Sequence, residues 1–532
     1  MPDTDFSQYA DLSPFELKDK LLQIAGSDHE RMMLNAGRGN PNFLATQPRR
    51  AFLRLSEFAI EEAERSYGYF DNEFGGLPER GGIVDRFHAF ARGHADTEGV
   101  RFVQTAISFI ADRLGIDRDD FLFEAVGAAL GSTYPTPPRM LTICEQIVKL
   151  YVEEEMGGPH TGAGDFSLFA TEGGTAAMTY IFQSLRANRL IAPGDKVALG
   201  TPIFSPYLEI PPLESFGLDI VDIRMDEATD WQFPASELER LRDPAVKIFC
   251  VVNPSNPPSA KLSDACLEAI ADIVQDRPDL MIVTDDVYGT FADDFRSLFV
   301  TCPRNTLCVY SFSKYFGATG WRLGVIAAHD QNTFDDALAA LPEADKQRLD
   351  ARYSSLTTTP RAVRFIDRLV ADSRVVALNH TAGLSTPQQL QMVLFALNGL
   401  LDRHNSYKNA AKSIVRDRFH TVYANMGVAT EDGANDVNYY SLVDLVQIGA
   451  KLFGQEFAEW LTTGERGAEF LFRLADETGV VLLPGKGFEV VDPSVRISLA
   501  NLTQANYVQI GRCTRRILDE YHAEYLKDTG TT

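Results

Sequence analysis

The chain has 532 residues, of which 45% are apolar and 10% aromatic, and its formal net charge is −24. This length exceeds what one compact core accommodates, so two or three domains are expected. The acidic balance argues against a nucleic-acid partner, because phosphate binding depends on clustered Lys and Arg. The longest apolar runs are only strand-sized, so no membrane span is expected.

The N-terminal residues lack the basic-then-apolar order of a secretory signal. A cytoplasmic location is therefore expected. The six cysteines are scattered, without a CxxC pair or a histidine cluster at metal-ligand spacing. We expect reduced, mostly buried cysteines and no metal site.

Amphipathic patterns predict helices over residues 13–25 and 51–66, and residues 70–130 carry glycine pairs and alternating apolar patches that indicate a separate inserted unit. From about residue 165, short β-branched or aromatic runs alternate with helical stretches, which is typical of a parallel sheet covered by helices. The predicted strands are Phe166–Ala170, Lys196–Gly200, Asp219–Arg224, Lys247–Val252, Leu280–Thr284, Leu307–Phe312 and Leu323–Ala327.

The last part of the chain is predicted to be helical and then mixed. Pro387 begins a helical stretch that runs to about Asn425, and an α+β section follows from about 436 to 525. The expected fold class is α/β, with a seven-stranded, mostly parallel sheet and a smaller α+β domain. The expected divisions are an N-terminal arm (1–50), an inserted helical segment (51–130), a large domain (131–375) and a small C-terminal domain (376–532).

A lysine stands at the end of a predicted strand in Ser311-Phe312-Ser313-Lys314, and Arg322 follows eight residues later. Ligands bind at strand ends in open α/β sheets. A lysine there can form a Schiff base if burial or neighbouring cations keep its amine partly deprotonated, and an arginine with serine hydroxyls can bind a phosphate. Taken alone, the pattern favours a surface lysine on a loop.

Three further strand ends carry candidate ligand-binding residues. Gly173 and Gly174 open an Ala-rich helix, where backbone N–H groups can approach a phosphate, although an ordinary strand–helix turn explains them equally well. Asn256 lies among prolines that can hold its amide toward a ligand oxygen. Asp285 ends a strand shortly before Tyr288, and it can pair with a protonated pyridine nitrogen or serve as a helix N-cap.

In order and separation, these motifs together resemble those of fold-type I pyridoxal-phosphate (PLP) enzymes of the aspartate-aminotransferase class. The resemblance covers about residues 35–50 and 130–525. It implies PLP as cofactor, Lys314 as the residue that binds it as an imine, and Asp285 as partner of the pyridine nitrogen. The other implied cofactor contacts are Asn256 and Tyr288 at the phenolic oxygen, Phe204 on the ring, and Gly173, Gly174, Thr175, Ser311, Ser313 and Arg322 at the phosphate.

The same resemblance implies the substrate contacts. Arg496 corresponds to the arginine that binds the substrate α-carboxylate through a bidentate pair, with Asn256 nearby. Gly39 belongs to a glycine turn that lines the substrate site. Tyr134 corresponds to a tyrosine that reaches into the site of a neighbouring subunit, so a homodimer is the smallest expected assembly.

Two features depart from an ordinary aminotransferase of this class: the segment around 50–130 is extra, and Arg38 stands between two glycines. Both features, with the chain length and the run from Tyr134 to Leu141, resemble the aspartate 4-decarboxylases. That resemblance implies decarboxylation of L-aspartate to L-alanine and carbon dioxide through a ketimine, with minor aminotransferase activity. It also implies a larger assembly of dimers, such as a dodecamer, with the inserted segment as a contact surface.

Arg38 is expected near the β-carboxylate of the substrate, together with Lys18 of the N-terminal arm and with Tyr134 of the partner subunit. A solvated Arg38 on a glycine-rich turn is the alternative. Two other functions stay open, an aspartate or alanine aminotransferase and a PLP-fold transcription regulator. The regulator is disfavoured because such proteins carry a basic DNA-binding module before the PLP domain, and residues 1–130 are not basic.

Overall fold

The computed structural model describes residues 12–26, 32–67, 74–94, 97–157, 164–463, 466–490 and 492–530. Its N-terminal elements are α1 (Pro14–Ala25), β1 (Leu34–Asn35), α2 (Thr46–Ser66), α3 (Ile83–Gly93), α4 (Glu98–Leu114) and α5 (Arg118–Leu130). The next elements are α6 (Thr142–Gly157), β2 (Phe166–Thr171), α7 (Gly174–Ala187), β3 (Lys196–Thr201), α8 (Pro206–Glu209), β4 (Asp219–Arg224), α9 (Ala235–Leu238), β5 (Val246–Val252), α10 (Asp264–Asp276), β6 (Met281–Asp285), α11 (Leu298–Thr301), β7 (Thr306–Ser311) and β8 (Gly324–His329). The C-terminal elements are α12 (Thr333–Ala340), α13 (Glu343–Tyr353), α14 (Phe365–Asp372), α15 (Thr386–Leu401), α16 (Ser406–Met426), β9 (Tyr440–Asp444), α17 (Leu445–Phe453), α18 (Gln455–Leu461), α19 (Arg466–Thr478), β10 (Val480–Val481), β11 (Leu483–Pro484), β12 (Ser494–Ser498) and α20 (Gln504–Thr529).

A seven-stranded sheet with the order β2-β8-β7-β6-β5-β3-β4 forms the centre of the fold. Neighbouring strands are parallel except at β8, which runs antiparallel to both β2 and β7. Every residue of β2 and β7 is buried, as expected for strands covered on both faces. The predicted α/β fold with a mostly parallel sheet is confirmed, and each predicted strand agrees with its observed bounds to within a residue or two.

The inserted helices pack on α15, far along the chain, and do not form the separate unit expected from the glycine pairs. Both α2 and α5 contact α15. Leu55, Leu122 and Leu390, one from each of these helices, are fully buried in the same apolar core. Helix α2 begins at Thr46, before the predicted residue 51, because Pro48 is tolerated within a first helical turn. The predicted boundary at residue 50 therefore falls inside α2, and the other domain boundaries stay predictions.

The C-terminal part contains a three-stranded antiparallel sheet with the order β11-β12-β9. The helical stretch predicted from Pro387 to Asn425 is two helices, α15 and α16, which are separated by a turn at residues 402–405. Strand β1 pairs in parallel with β10, so the N-terminal arm joins the C-terminal domain.

None of the helices in the described part of the chain has the length and apolar character that a bilayer span requires. The cytoplasmic location stays a prediction.

Candidate active site

A cavity of about 190 Å³ lies where the central parallel strands end. Its walls come from the ends of β5, β6 and β7, from the start of α7, and from β9 and β12 of the smaller sheet. The predicted site residues that line it are Gly39, Gly174, Thr175, Phe204, Asn256, Asp285, Tyr288, Ser311, Ser313, Lys314, Arg322 and Arg496. The structure therefore brings most of the predicted set together, from both ends of the chain.

The wall at the start of α7 is suited to an anion. Because α7 begins at Gly174, the N–H groups of its first turn lack helical partners. Gly173 has a φ of 87°, and a Cβ there would lie 2.7 Å from Nη2 of Arg322, so glycine is required. Arg322 donates to the carbonyls of Thr319 and Glu172 at 3.1 and 3.2 Å. A cation beside a helix N-terminus favours a phosphate.

Three hydroxyl groups lie at the same wall. Ser311 donates through Oγ to Ser313 Oγ at 2.9 Å, and both serines are buried. Thr175 lies in the first turn of α7 with an exposed side chain. Since β7 ends and α7 begins at this wall, these hydroxyls are available to the anion that Arg322 favours.

Asp285 brings a carboxylate into the buried end of β6. Burial raises its pKa to about 6, against the opposing effects of the Val287 N–H, the Tyr207 hydroxyl and the charge of Lys314. Val287 donates to Oδ1 at 3.3 Å, and Tyr207 donates to Oδ2 at 3.4 Å. Asp285 has no ion pair with any described residue, which suits a protonated ring nitrogen as its partner.

Lys314 lies against the N-terminal glycine turn. Its Nζ donates to the carbonyl of Gly39 at 3.2 Å, and the Tyr439 hydroxyl donates to the same carbonyl at 2.8 Å. A Cβ on Gly39 would lie 3.2 Å from Lys314 Nζ and 2.1 Å from the hydroxyl oxygen of Tyr440. Position 39 must therefore be glycine for both side chains to keep their places.

Arg496 is a buried cation without a carboxylate partner among the described residues. Only 2% of the residue is exposed, and burial lowers the pKa of its guanidinium. Nη1 donates to Asn256 Oδ1 at 3.0 Å, and Nη2 donates to the Gly37 carbonyl at 2.9 Å. Nε has no hydrogen-bond partner among the described residues. A buried guanidinium in this state favours an anionic ligand such as a carboxylate.

Two tyrosines of the cavity lie outside the predicted set. Tyr207, on the short α8, donates to Asp285, and Tyr440 begins β9. The Tyr440 hydroxyl accepts from the Tyr288 hydroxyl at 3.0 Å, and the Arg496 Cζ lies 4.3 Å from the Tyr440 ring centroid. Neither tyrosine belongs to a motif of fixed spacing. The signal for Tyr440 is only that it begins a strand of the predicted C-terminal α+β section.

Three residues predicted at the substrate β-carboxylate do not line the cavity of this single chain. Arg38 is exposed and forms no hydrogen bond or ion pair with the described residues. Tyr134 is 67% exposed, as a residue that serves another subunit would be. Lys18 is mostly buried, pairs with Asp19 Oδ1 at 2.9 Å and packs beside Gly37. Their roles stay predictions.

The donor set of the cavity fits PLP. A phosphate group needs a cation such as Arg322, a protonated pyridine nitrogen needs a buried carboxylate such as Asp285, and an aldehyde carbon needs an amine such as Lys314. None of these three side chains forms an ion pair with another described residue. Each is thus left available for the cofactor group that it suits.

A lysine, a carboxylate and an anion cradle at the strand ends of such a sheet define a fold-type I PLP enzyme. The chain belongs to the aminotransferase class I and II family, whose model matches residues 167–510. Because members of this family are PLP-dependent enzymes, the predicted cofactor and the prediction of an enzyme are confirmed.

Individual relatives extend the match beyond the family region. The chain is 55% identical to the bifunctional aspartate aminotransferase and L-aspartate beta-decarboxylase of Pseudomonas sp. over 522 residues, which cover 98% of each chain. It is 23% identical over 304 residues to an aspartate/prephenate aminotransferase of Nitrosomonas europaea, with 56% of this chain and 65% of that one covered. The resemblance to aspartate 4-decarboxylases is thereby confirmed.

Solved structures agree with the fold. An aspartate aminotransferase double mutant from Thermus thermophilus is similar with a TM-score of 0.59 and 18% identity, covering 97% of this chain and 100% of that one. Bna3p of Saccharomyces cerevisiae, described as a putative kynurenine aminotransferase, is similar with a TM-score of 0.58 and 16% identity, covering 98% of this chain and 99% of that one. These likenesses concern the fold alone.

Proposed function

We propose that the chain is a PLP-dependent carboxy-lyase that converts L-aspartate to L-alanine and carbon dioxide, with aminotransfer as a side activity. The observation that carries the proposal is the 55% identity to the bifunctional Pseudomonas relative over 98% of both chains. Because the alignment leaves few residues of this chain unmatched, it includes most of the inserted segment. The aminotransferase of Nitrosomonas matches only 56% of the chain.

Arg496 is proposed to bind the α-carboxylate of the substrate. Its unpartnered Nε and its burial support a bidentate pair with an anion, and Asn256 lies beside it at 3.0 Å. The β-carboxylate is assigned to Arg38 and Lys18 of the N-terminal arm, together with Tyr134 of the partner subunit. A dicarboxylic substrate then has cations at both of its ends.

Lys314 is proposed to hold the cofactor through its amine and then to act as the proton carrier at the α-carbon. PLP, when bound, supplies an electron sink for bonds at that carbon, and Asp285 keeps the ring nitrogen protonated. Once the substrate has displaced the Lys314 amine, the free amine takes the α-proton. The Gly39 carbonyl accepts from Lys314 Nζ at 3.2 Å, which supports a fixed resting position for the amine.

The remaining cofactor contacts follow from the wall residues. We assign the phosphate to the start of α7 and to hydroxyl and guanidinium groups, the ring face to Phe204, and the phenolic oxygen to Asn256 and Tyr288. The phosphate ligands are Gly173, Gly174, Thr175, Ser311, Ser313 and Arg322.

The site is proposed to be completed by a second subunit. The 67% exposure of Tyr134 supports a homodimer in which this ring reaches the neighbouring site. Leu53 and Ile60, on one face of α2, are 67% and 54% exposed, which supports a further contact surface. We propose that dimers assemble through it into a larger particle such as a dodecamer.

Carbon dioxide release from L-aspartate by the purified holoenzyme, without any oxo-acid acceptor, tests the function. We expect equal amounts of carbon dioxide and alanine, and a smaller amount of oxaloacetate when 2-oxoglutarate is added. Alanine must be measured directly, because oxaloacetate itself loses carbon dioxide and gives pyruvate. An aspartate or alanine aminotransferase, the alternative, would form no alanine from aspartate without an acceptor, and at most one oxaloacetate per active site.

A further inference from the structure

Tyr440 is a buried phenol of the cavity wall with no part in the steps assigned above. The residue is 3% exposed, and its N–H and that of Tyr439 donate to Ser259 Oγ at 3.2 and 2.9 Å. At the other end, its hydroxyl accepts from the Tyr288 hydroxyl at 3.0 Å. The phenol is therefore held at its backbone and at its oxygen.

The hydroxyl of Tyr440 and the amine of Lys314 come together at Gly39. The point where a Cβ would stand on Gly39 is 2.1 Å from the Tyr440 oxygen and 3.2 Å from Lys314 Nζ. Both groups thus border one small volume of the cavity, and glycine keeps that volume open. A proton on the Tyr440 hydroxyl therefore lies close to the substrate carbon at which the Lys314 amine is proposed to act.

Two cations make this phenol easier to ionise than its neighbours. Burial acts to raise the pKa of Tyr440, but the charges of Lys314 and Arg496 bring that pKa below its ordinary value of 10.0. Burial raises the pKa of both Tyr288 and Tyr439 well above that value. Among these three adjoining phenols, only Tyr440 is set up as an acid.

The proposed decarboxylation, on which this inference rests, needs a proton donor in addition to Lys314. Loss of the β-carboxylate breaks the bond from the β-carbon to the carboxylate carbon, and carbon dioxide leaves without the bonding electrons. Those electrons form a new C–H bond with one proton. Aminotransfer needs no proton at the β-carbon, and Lys314 is already assigned to the α-carbon.

We propose that Tyr440 is the catalytic acid that delivers this proton to the β-carbon of the substrate. The phenolate that results is stabilised by Lys314 and Arg496, and it takes a proton from water through the Tyr288 hydroxyl as the product leaves. One proton is consumed for each carbon dioxide released, which balances the conversion of the aspartate anion to neutral alanine.

The test compares Tyr440→Phe with Tyr439→Phe, which removes a like hydroxyl one residue away that does not line the cavity. Loss of a general acid slows its step by about 10²–10⁴-fold. Tyr440→Phe should lower alanine formation from aspartate by such a factor, lower oxaloacetate formation much less, and leave the inhibition constant of maleate unchanged. Tyr439→Phe should leave the ratio of the two products unchanged.

A second measurement does not depend on turnover. Ultraviolet difference titration of the apoenzyme should show one more phenol ionising below pH 10 in the wild type than in Tyr440→Phe. If Tyr440→Phe does not fold, Tyr440→Gln should give the same selective loss of decarboxylation, because its amide oxygen can still accept from the Tyr288 hydroxyl but it has no acidic proton.

Equal losses of alanine and oxaloacetate formation in Tyr440→Phe, or an unchanged titration, would overturn the assignment of Tyr440. If the proposed function is wrong, the wild-type enzyme will release no carbon dioxide from aspartate, and the inference on Tyr440 fails with it. That result is distinct from a wrong assignment of Tyr440, in which the wild type still releases carbon dioxide.

Discussion

Arg496 and Asn256 are joined by a hydrogen bond of 3.0 Å from Nη1 to Oδ1. This bond fixes one edge of the guanidinium fork, while Nε has no partner among the described residues. The fork is thus oriented before any substrate arrives, and a carboxylate can take it without a change of rotamer.

Arg496→Ala should therefore weaken aspartate and alanine binding alike. A lost bidentate pair costs about 2–4 kcal/mol when buried, which corresponds to roughly 30- to 800-fold in affinity. Spectral titration of the holoenzyme measures both affinities. Arg496→Lys keeps the charge without the fork and serves as the matched variant. An unchanged affinity for alanine would move the α-carboxylate site elsewhere.

Asp285→Asn should stabilise the apoenzyme at neutral pH. The pKa of Asp285 is raised to about 6 from 3.8, so the folded chain holds an extra proton between those values. Wild-type stability then falls as pH rises through that window, by about 3 kcal/mol in all. Urea unfolding of both apoproteins near pH 5 and near pH 8 should show a larger difference at the higher pH. A difference that is the same at both would contradict burial as the cause.

Lys314→Ala should abolish the visible absorbance of lysine-bound cofactor together with both activities. The substitution removes the covalent anchor and the proton carrier at once. Absorbance spectra after dialysis, with Lys314→Arg as the charge-preserving control, provide the measurement. A normal spectrum in the alanine variant would show that another residue holds the cofactor.

Arg38→Ala should lower decarboxylation more than aminotransfer. A cation near the β-carboxylate can orient the bond that breaks, and positioning of this kind accounts for roughly several kcal/mol of a barrier. The ratio of alanine to oxaloacetate formed from aspartate with an oxo acid present measures the effect, and Arg38→Lys is the control. An equal fall in both products would mean that Arg38 does not direct the reaction.

Leu53→Glu with Ile60→Glu should reduce the size of the assembled particle while each dimer stays active. Both side chains are more than half exposed and lie seven residues apart on α2, so they share one face. Sedimentation velocity measures particle size, and Leu213→Glu, at a site 51% exposed on the large domain, is the matched control. Unchanged assembly with lost activity would contradict the role of this segment.

The sheet was predictable because its strands are buried on both faces and read as continuous apolar runs. Lys314, Asp285 and Asn256 lie at or shortly after the ends of such strands, so their position along the chain indicates that they belong to one site. Tyr440 depends on the pairing of β9 with β12, in which it faces Ser498 and lies near Arg496. That register is set by tertiary contacts, and no local pattern contains it.

The inserted segment shows the same limit of local patterns. Its glycine pairs indicate a separate unit, whereas Leu55 and Leu122 are buried in the same core as Leu390, far along the chain. The sequence likewise predicts one helical stretch where the structure has α15 and α16, because the turn at 402–405 interrupts the apolar pattern only briefly.

The pairing of β1 with β10 makes the N-terminal arm a mechanical part of the C-terminal domain. Arg496, on that domain, also donates to the Gly37 carbonyl, one residue before Arg38. Gly37 and Arg38 are adjacent, so the two arginines are connected through one short stretch of backbone. The spacing between the two proposed carboxylate contacts would then be set by this stretch and by the strand that carries Arg496, and substrates of one length would be favoured.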